Sequence, residues 1–129
     1  MPYTSKRQMK IEFKRLDHVM LCIPVGTEDE ARKFYGDILG LKELTDLGYE
    51  LPKGAIWFQI GDIQLHIRAE STQHYSERHP AFEVKNIKAA QEVLESQGIK
   101  VKYESLIPDR IRFSFRDPFG NRIEFLEML

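Results

Sequence analysis

Cysteine is almost absent: Cys22 stands alone, so no internal disulfide is possible. A reducing compartment suits such a chain, and the expected location is cytoplasmic. The N-terminus has no apolar stretch of the secretory kind. No apolar run approaches the roughly 18 residues that span a bilayer, so no membrane segment is expected. Neither sign of charge dominates. The chain has 19 Lys and Arg against 20 Asp and Glu, a net charge of −1. That balance gives no electrostatic reason to expect nucleic acid or an anionic membrane as partner. Compact metal motifs of the HExxH type are missing too.

What remains is ordinary globular material. The 129 residues suit one domain with a real core, and the 42% hydrophobic and 30% charged fractions agree with that. Residues 1–14 read as an N-terminal extension. Lys6, Arg7, Lys10, Lys14 and Arg15 make its neighbourhood basic, which fits a solvated terminus. The domain itself is expected over 15–127.

Residues 15–24 read as a strand ended by Pro24. Thr27 and Glu30 have capping-box spacing before a helix. Ala31, Phe34, Tyr35, Ile38 and Leu39 give that helix one apolar face, and Gly40 stops it. A strand is expected over 41–47. AIWFQI and IQLHIRA then read as strands joined at Gly61-Asp62. Residues 70–78 are polar and aperiodic, and His74 there reads as a surface residue.

After the linker the pattern restarts. HPAFEV reads as a strand, and Asn86 caps a helix running to about Gln97. Strands follow over 100–104, 111–116 and 121–127, the last two joined by the turn Asp117-Pro118-Phe119-Gly120. The order β-α-β-β-β thus occurs twice, in modules 15–69 and 79–127. The expected fold is α+β: a curved, cup-like mixed sheet with both helices on its outer face.

Strand parity sorts the side chains. Val19, Leu21, Ile23, Ile63, Leu65, Ile67, Phe113, Phe115, Ile123 and Phe125 fall on one face. His18, His66, His79 and Glu124 fall on the other, at matching places in the two modules. Three imidazoles and a carboxylate are a suitable donor set for one divalent ion: Zn, Fe, Mn, Ni or Co. Arg112 is the expected grip for a substrate carboxylate or phosphate, because a guanidinium binds either bidentately. Gln64, Arg68 and Trp57 are further substrate-binding positions, with Gln59 and Arg116 as weaker ones. Cys22 shares the polar face but reads as a packing residue.

The segments LDHVMLCIP, EARKFYGDILGL, IQLHI, HPAFEV and RDPFGNRIEFLE resemble the vicinal oxygen chelate superfamily, also called the glyoxalase/bleomycin-resistance/dioxygenase superfamily. The resemblance runs from Arg15 to Leu126. It implies paired modules around a divalent metal, with ligands from the first and last strands of each module. Those positions here are His18, His66, His79 and Glu124. The implied activity is that of a metal-dependent glyoxalase-like lyase or isomerase on a small, oxygen-rich substrate, working through a stabilised enediolate or oxyanion. Glu124 is the candidate catalytic group. The resemblance also implies a homodimer. Its alternatives are an extradiol-type dioxygenase and a metal-free antibiotic-binding resistance protein. His66 departs from glyoxalase I, which carries carboxylates at both closing-strand positions, so the reaction class stays open.

Overall fold

The computed structural model describes residues 10–72 and 74–129. Strand β1 covers His18–Pro24, and helix α1 covers Glu28–Ala31 and continues as a wider π-helical segment, Arg32–Ile38. Then come β2 (Lys42–Glu43), β3 (Ala55–Ile60) and β4 (Ile63–Glu70). The second module repeats the order: β5 (Ala81–Glu83), α2 (Ile87–Ser96), β6 (Lys102–Tyr103), β7 (Arg110–Arg116) and β8 (Arg122–Met128). Both βαβββ units are therefore present.

Hydrogen bonding joins the strands as two four-stranded sheets, β1-β4-β3-β2 and β5-β8-β7-β6. The single curved sheet expected from the repeat is thus divided where the modules meet, between the edge strands β1 and β5. Those edges still approach each other. A cavity between them is lined by Val19, Met20 and Leu21 on one side and by Arg78, His79 and Pro80 on the other. The Asn121 amide also donates to Cys22 O at 2.9 Å, tying the free edge of β1 to the start of β8.

Several elements are shorter than their sequence patterns suggest. β1 begins at His18 rather than at Arg15, and the strand expected over 41–47 shrinks to Lys42–Glu43. Its partner β3 pairs with those two residues in register and accepts one further bond, from Leu44 N to Trp57 O at 2.7 Å. Of the N-terminal extension, residues 1–9, with Lys6 and Arg7, lie outside the described residues. Residues 10–17 are exposed and without regular structure.

The two helices start differently. Asn86 caps α2 as its sequence suggests: Oδ1 accepts from Ala89 N at 2.9 Å. The capping box on α1 does not form. Thr27 turns its hydroxyl back and donates to Pro24 O at 2.6 Å, leaving no side-chain cap. Further on, Leu39 N donates to Phe34 O, five residues back, at 2.9 Å. That widened turn lets Phe34 and Tyr35 both point inward, where each is essentially inaccessible to solvent.

Strand parity holds in the core. Ile23, Ile56, Phe58, Leu65, Ile67, Phe113, Phe115, Ile123 and Phe125 are buried together with Phe34, Tyr35, Ile87 and Leu94 from the helices. One core serves both modules. The Phe34 ring sits 6.5 Å from Phe115, while Tyr35 sits 6.1 Å from Phe58. The Tyr35 hydroxyl donates to the buried carboxylate of Asp117, in the β7–β8 turn. Asp117 also accepts from Phe119 N, Asn121 N and the Asn121 amide. Burial and the Asp117 charge push the Tyr35 hydroxyl well above the usual tyrosine range. No helix among the described residues is long and apolar enough to cross a membrane.

Candidate metal centre

Because the apolar faces of both sheets are buried, the opposite faces carry the polar residues. Parallel pairing of β1 with β4 sets His18 beside Gln64 and Met20 beside His66. Antiparallel pairing of β3 with β4 sets Trp57 on the other side of His66. In the second module, Ser114 lies opposite Glu124, and Ala81 flanks Glu124 from β5. All four expected ligands therefore lie on the faces turned away from the core.

They form two pairs. His18 and His66 stack, with ring centroids 4.0 Å apart, and His66 also stacks on Trp57 at 3.7 Å. His79 Nε2 lies 3.3 Å from Glu124 Oε1. Among the described residues no three His, Cys, Asp or Glu side chains group closely enough to hold one metal ion.

The donor atoms are nevertheless prepared. His18 Nδ1 donates to Asp17 Oδ2 at 2.9 Å, and Arg15 steadies the same carboxylate at 3.3 Å. That bond from His18, aided by Arg15, holds Asp17 below the usual carboxylate range. His79 Nδ1 donates to Glu77 O at 2.8 Å. In both residues the lone pair is thereby left on Nε2, the arrangement common to metal-binding histidines. For neutral His79, Nε2 and Glu124 Oε1 are both acceptors. Two acceptors 3.3 Å apart repel unless a cation or a proton lies between them. The residues thus fit a divalent ion in donor chemistry. Burial, assisted by the His18 charge, lowers the His66 pKa, which favours the neutral imidazole that metals bind.

The expected substrate groups divide. Arg112 lies beside Glu124, with Nη1 3.5 Å from Oε1, and Nη2 donates to Ser105 O and Oγ at 3.3 Å. Its buried Nε has no partner among the described residues. Trp57 carries the imidazole stack, with Tyr49 edge-on at 5.9 Å. Gln64 Oε1 is 3.3 Å from His66 Nε2. Arg68 is exposed and pairs in register with Cys22 and Ala55 at the far end of β4. Gln59 braces the β3–β4 turn through Gly61 O and Ile63 O. Arg116 clamps the linker through Ser76 O.

Sequence reasoning missed Asp17, Glu77, Glu104 and Arg122. Asp17 was legible in principle, as an acid beside a ligand histidine. Glu104 accepts from Ser114 Oγ at 2.6 Å and from Arg122 at 2.9 Å, which holds its carboxyl low. Nothing in the local pattern around Glu104 announces those partners.

The sequence profile of the Glyoxalase/Bleomycin resistance protein/Dioxygenase superfamily matches residues 15–125. The chain belongs to this superfamily. A solved glyoxalase-family protein from Bacillus anthracis is 40% identical, with a TM-score of 0.82 over 94% of this chain and 100% of that one. A lactoylglutathione lyase from Agrobacterium tumefaciens is 20% identical, with a TM-score of 0.71 over 90% and 95% of the two chains. A glyoxalase/dioxygenase from Nostoc punctiforme is 22% identical, with a TM-score of 0.71 over 90% and 92%. The latter two likenesses establish the fold alone. No curated protein matches the sequence. Superfamily membership agrees with the two βαβββ modules.

Proposed function

We propose that the protein is a divalent-metal-dependent, glyoxalase-like enzyme of the lyase or isomerase type, acting on a small oxygen-rich molecule. The observation that carries this reading is the facing pair His79 Nε2 and Glu124 Oε1, 3.3 Å apart, with the Glu124 carboxylate buried and the His79 side chain partly exposed beside it. His18 and His66 would complete the set after their rings leave the stack, with ligands then coming from β1, β4, β8 and the residues just before β5. The ion, when bound, supplies Lewis-acid stabilisation of negative charge developing on substrate oxygen.

The chain's own residues divide the remaining work. Asp17 and the Glu77 carbonyl hold the ligand imidazoles in the tautomer that exposes Nε2. Glu124 holds or moves a proton at Oε1, and Arg112 holds that carboxylate in place. Trp57 walls the side of the cup next to His66. We propose a homodimer as the working unit, as the resemblance implies.

Metal content of the chain purified without chelators tests the reading, together with isothermal titration of Zn, Mn, Ni and Co into the stripped protein. About one ion per chain is expected, with affinity lost in Glu124→Gln and His79→Ala. Saturable metal binding that survives both substitutions would refute the assignment. A second reading, a metal-free binder of a planar molecule, draws on the Trp57–His66–His18 stack. The same titration separates the two, since that binder takes up no ion.

A further inference from the structure

A second feature of the polar face lies beyond the ligand pairs. A cavity of about 430 Å³ opens on the second sheet. Lys100, Lys102, Arg116 and Arg122 line it, opposed only by Glu77 and Glu104. The pairing of Lys102 with Ser114 places Lys102 on the same face as Glu124. Arg116 and Arg122 are themselves partners in the β7–β8 register, two residues along from Ser114 and Glu124. Two residues of strand span about 7 Å. The cavity lining thus begins at Ser114, directly across from Glu124, and the arginine pair lies one strand repeat, about 7 Å of backbone, further along.

We propose that this cavity recognises an anionic oxyacid group of the substrate, a carboxylate or a phosphate, and that the Glu77 carboxylate occupies the place this group takes. Glu77 Oε2 bridges the two guanidiniums, 3.1 Å from Arg116 Nη2 and 3.2 Å from Arg122 Nη1. The two arginines are fixed from behind. Arg116 donates to Ser76 O at 2.6 Å and to Gly120 O at 3.1 Å, and its guanidinium lies 3.9 Å from the centre of the Tyr75 ring. Arg122 donates to Glu104 Oε1 at 2.9 Å. Their side chains are 26% and 20% exposed, whereas Glu77 is 77% exposed.

That contrast decides which partner yields. A mostly solvated carboxylate loses little by returning to water, because an exposed ion pair is weakly bound. Two preordered guanidiniums, by contrast, favour any oxyanion that bridges them. Lys100 and Lys102 form no ion pair within 4 Å among the described residues, and apart from the pull of Lys102 on Glu104 they add positive charge for the incoming group. The expected substrate therefore carries its chelating oxygens at one end and a negative group about 7 Å away at the other. The position of the chelating end rests on the metal reading; anion binding does not.

Isothermal titration of the full-length protein with inorganic phosphate, and separately with succinate, tests the proposal. Saturable binding of one anion per chain is expected, and the better of the two probes identifies the group. Glu77→Gln should tighten binding about threefold to fivefold, the worth of the exposed pair it removes. The double variant Lys100→Gln/Lys102→Gln should weaken it about tenfold, with circular dichroism and metal stoichiometry unchanged. Absence of saturable binding in both the wild type and Glu77→Gln would overturn the inference. So would binding indifferent to all three substitutions, which is the result if phosphate simply adds to the metal. Should anion binding follow expectation while metal binding survives both Glu124→Gln and His79→Ala, the metal reading fails and this one stands.

Discussion

Replacing Tyr35 with Phe tests the contact that locks the modules together. The hydroxyl is the group on the α1 side that bonds Asp117, and the ring packs against Phe34 and Phe58. Phe keeps the ring and its burial, so the cost is confined to the lost bond. Asp117 would not be orphaned. It keeps Phe119 N at 2.9 Å, Asn121 N at 2.8 Å and the Asn121 amide at 3.0 Å. A hydrogen bond to a charged group contributes about 1.5–3 kcal/mol, so a loss of about 2 kcal/mol is expected. With a urea dependence of roughly 2 kcal/mol per molar, the midpoint should fall by about 1 M. In Asp117→Ala the same Tyr35 substitution should cost much less, because its partner is gone, and the double-mutant cycle isolates the bond. Alkaline pH supplies an independent check. The native pKa of Tyr35 is raised above the unfolded value near 10, so its contribution is complete below pH 10. It declines as pH rises from there towards the native pKa, because the unfolded chain then releases a proton that the native state retains. Tyr35→Phe should lose that part of the alkaline decline. Urea midpoints within about 0.2 M of each other, or identical alkaline slopes, would refute the reasoning.

Two further outcomes follow from the packing and the site. Phe113→Ala empties a fully buried position between Tyr103, Phe115 and Phe125, and should cost about 3–5 kcal/mol by urea unfolding. Asp17→Ala removes the acceptor that orients His18. Metal affinity by titration should fall about tenfold, the lower end for such partners because Asp17 is exposed, while the unfolding midpoint stays within error.

Local pattern carried much of the architecture. Alternation in LDHVMLCIP, IQLHIRA and NRIEFLE placed Ile23, Leu65, Ile67, Ile123 and Phe125 in the core, because the face that packs on the helices takes one parity, although Glu124 and Leu126 on the other parity of β8 are buried as well. Asn86 announced the start of α2, since a cap acts within three residues. The same alternation set His18, His66 and Glu124 on the polar faces, while His79 lies just before β5, outside any strand.

What local pattern could not decide depends on partners far away in the chain. Tyr35 and Asp117 are 82 positions apart, and nothing around either predicts their bond. The division between β1 and β5 is set by how the modules dock, not by either strand's own sequence. The sequence by itself determined which face each histidine occupies. Only the tertiary structure decided that His18 and His66 stack on Trp57 while His79 faces Glu124, because strand parity fixes a side and packing chooses the rotamer.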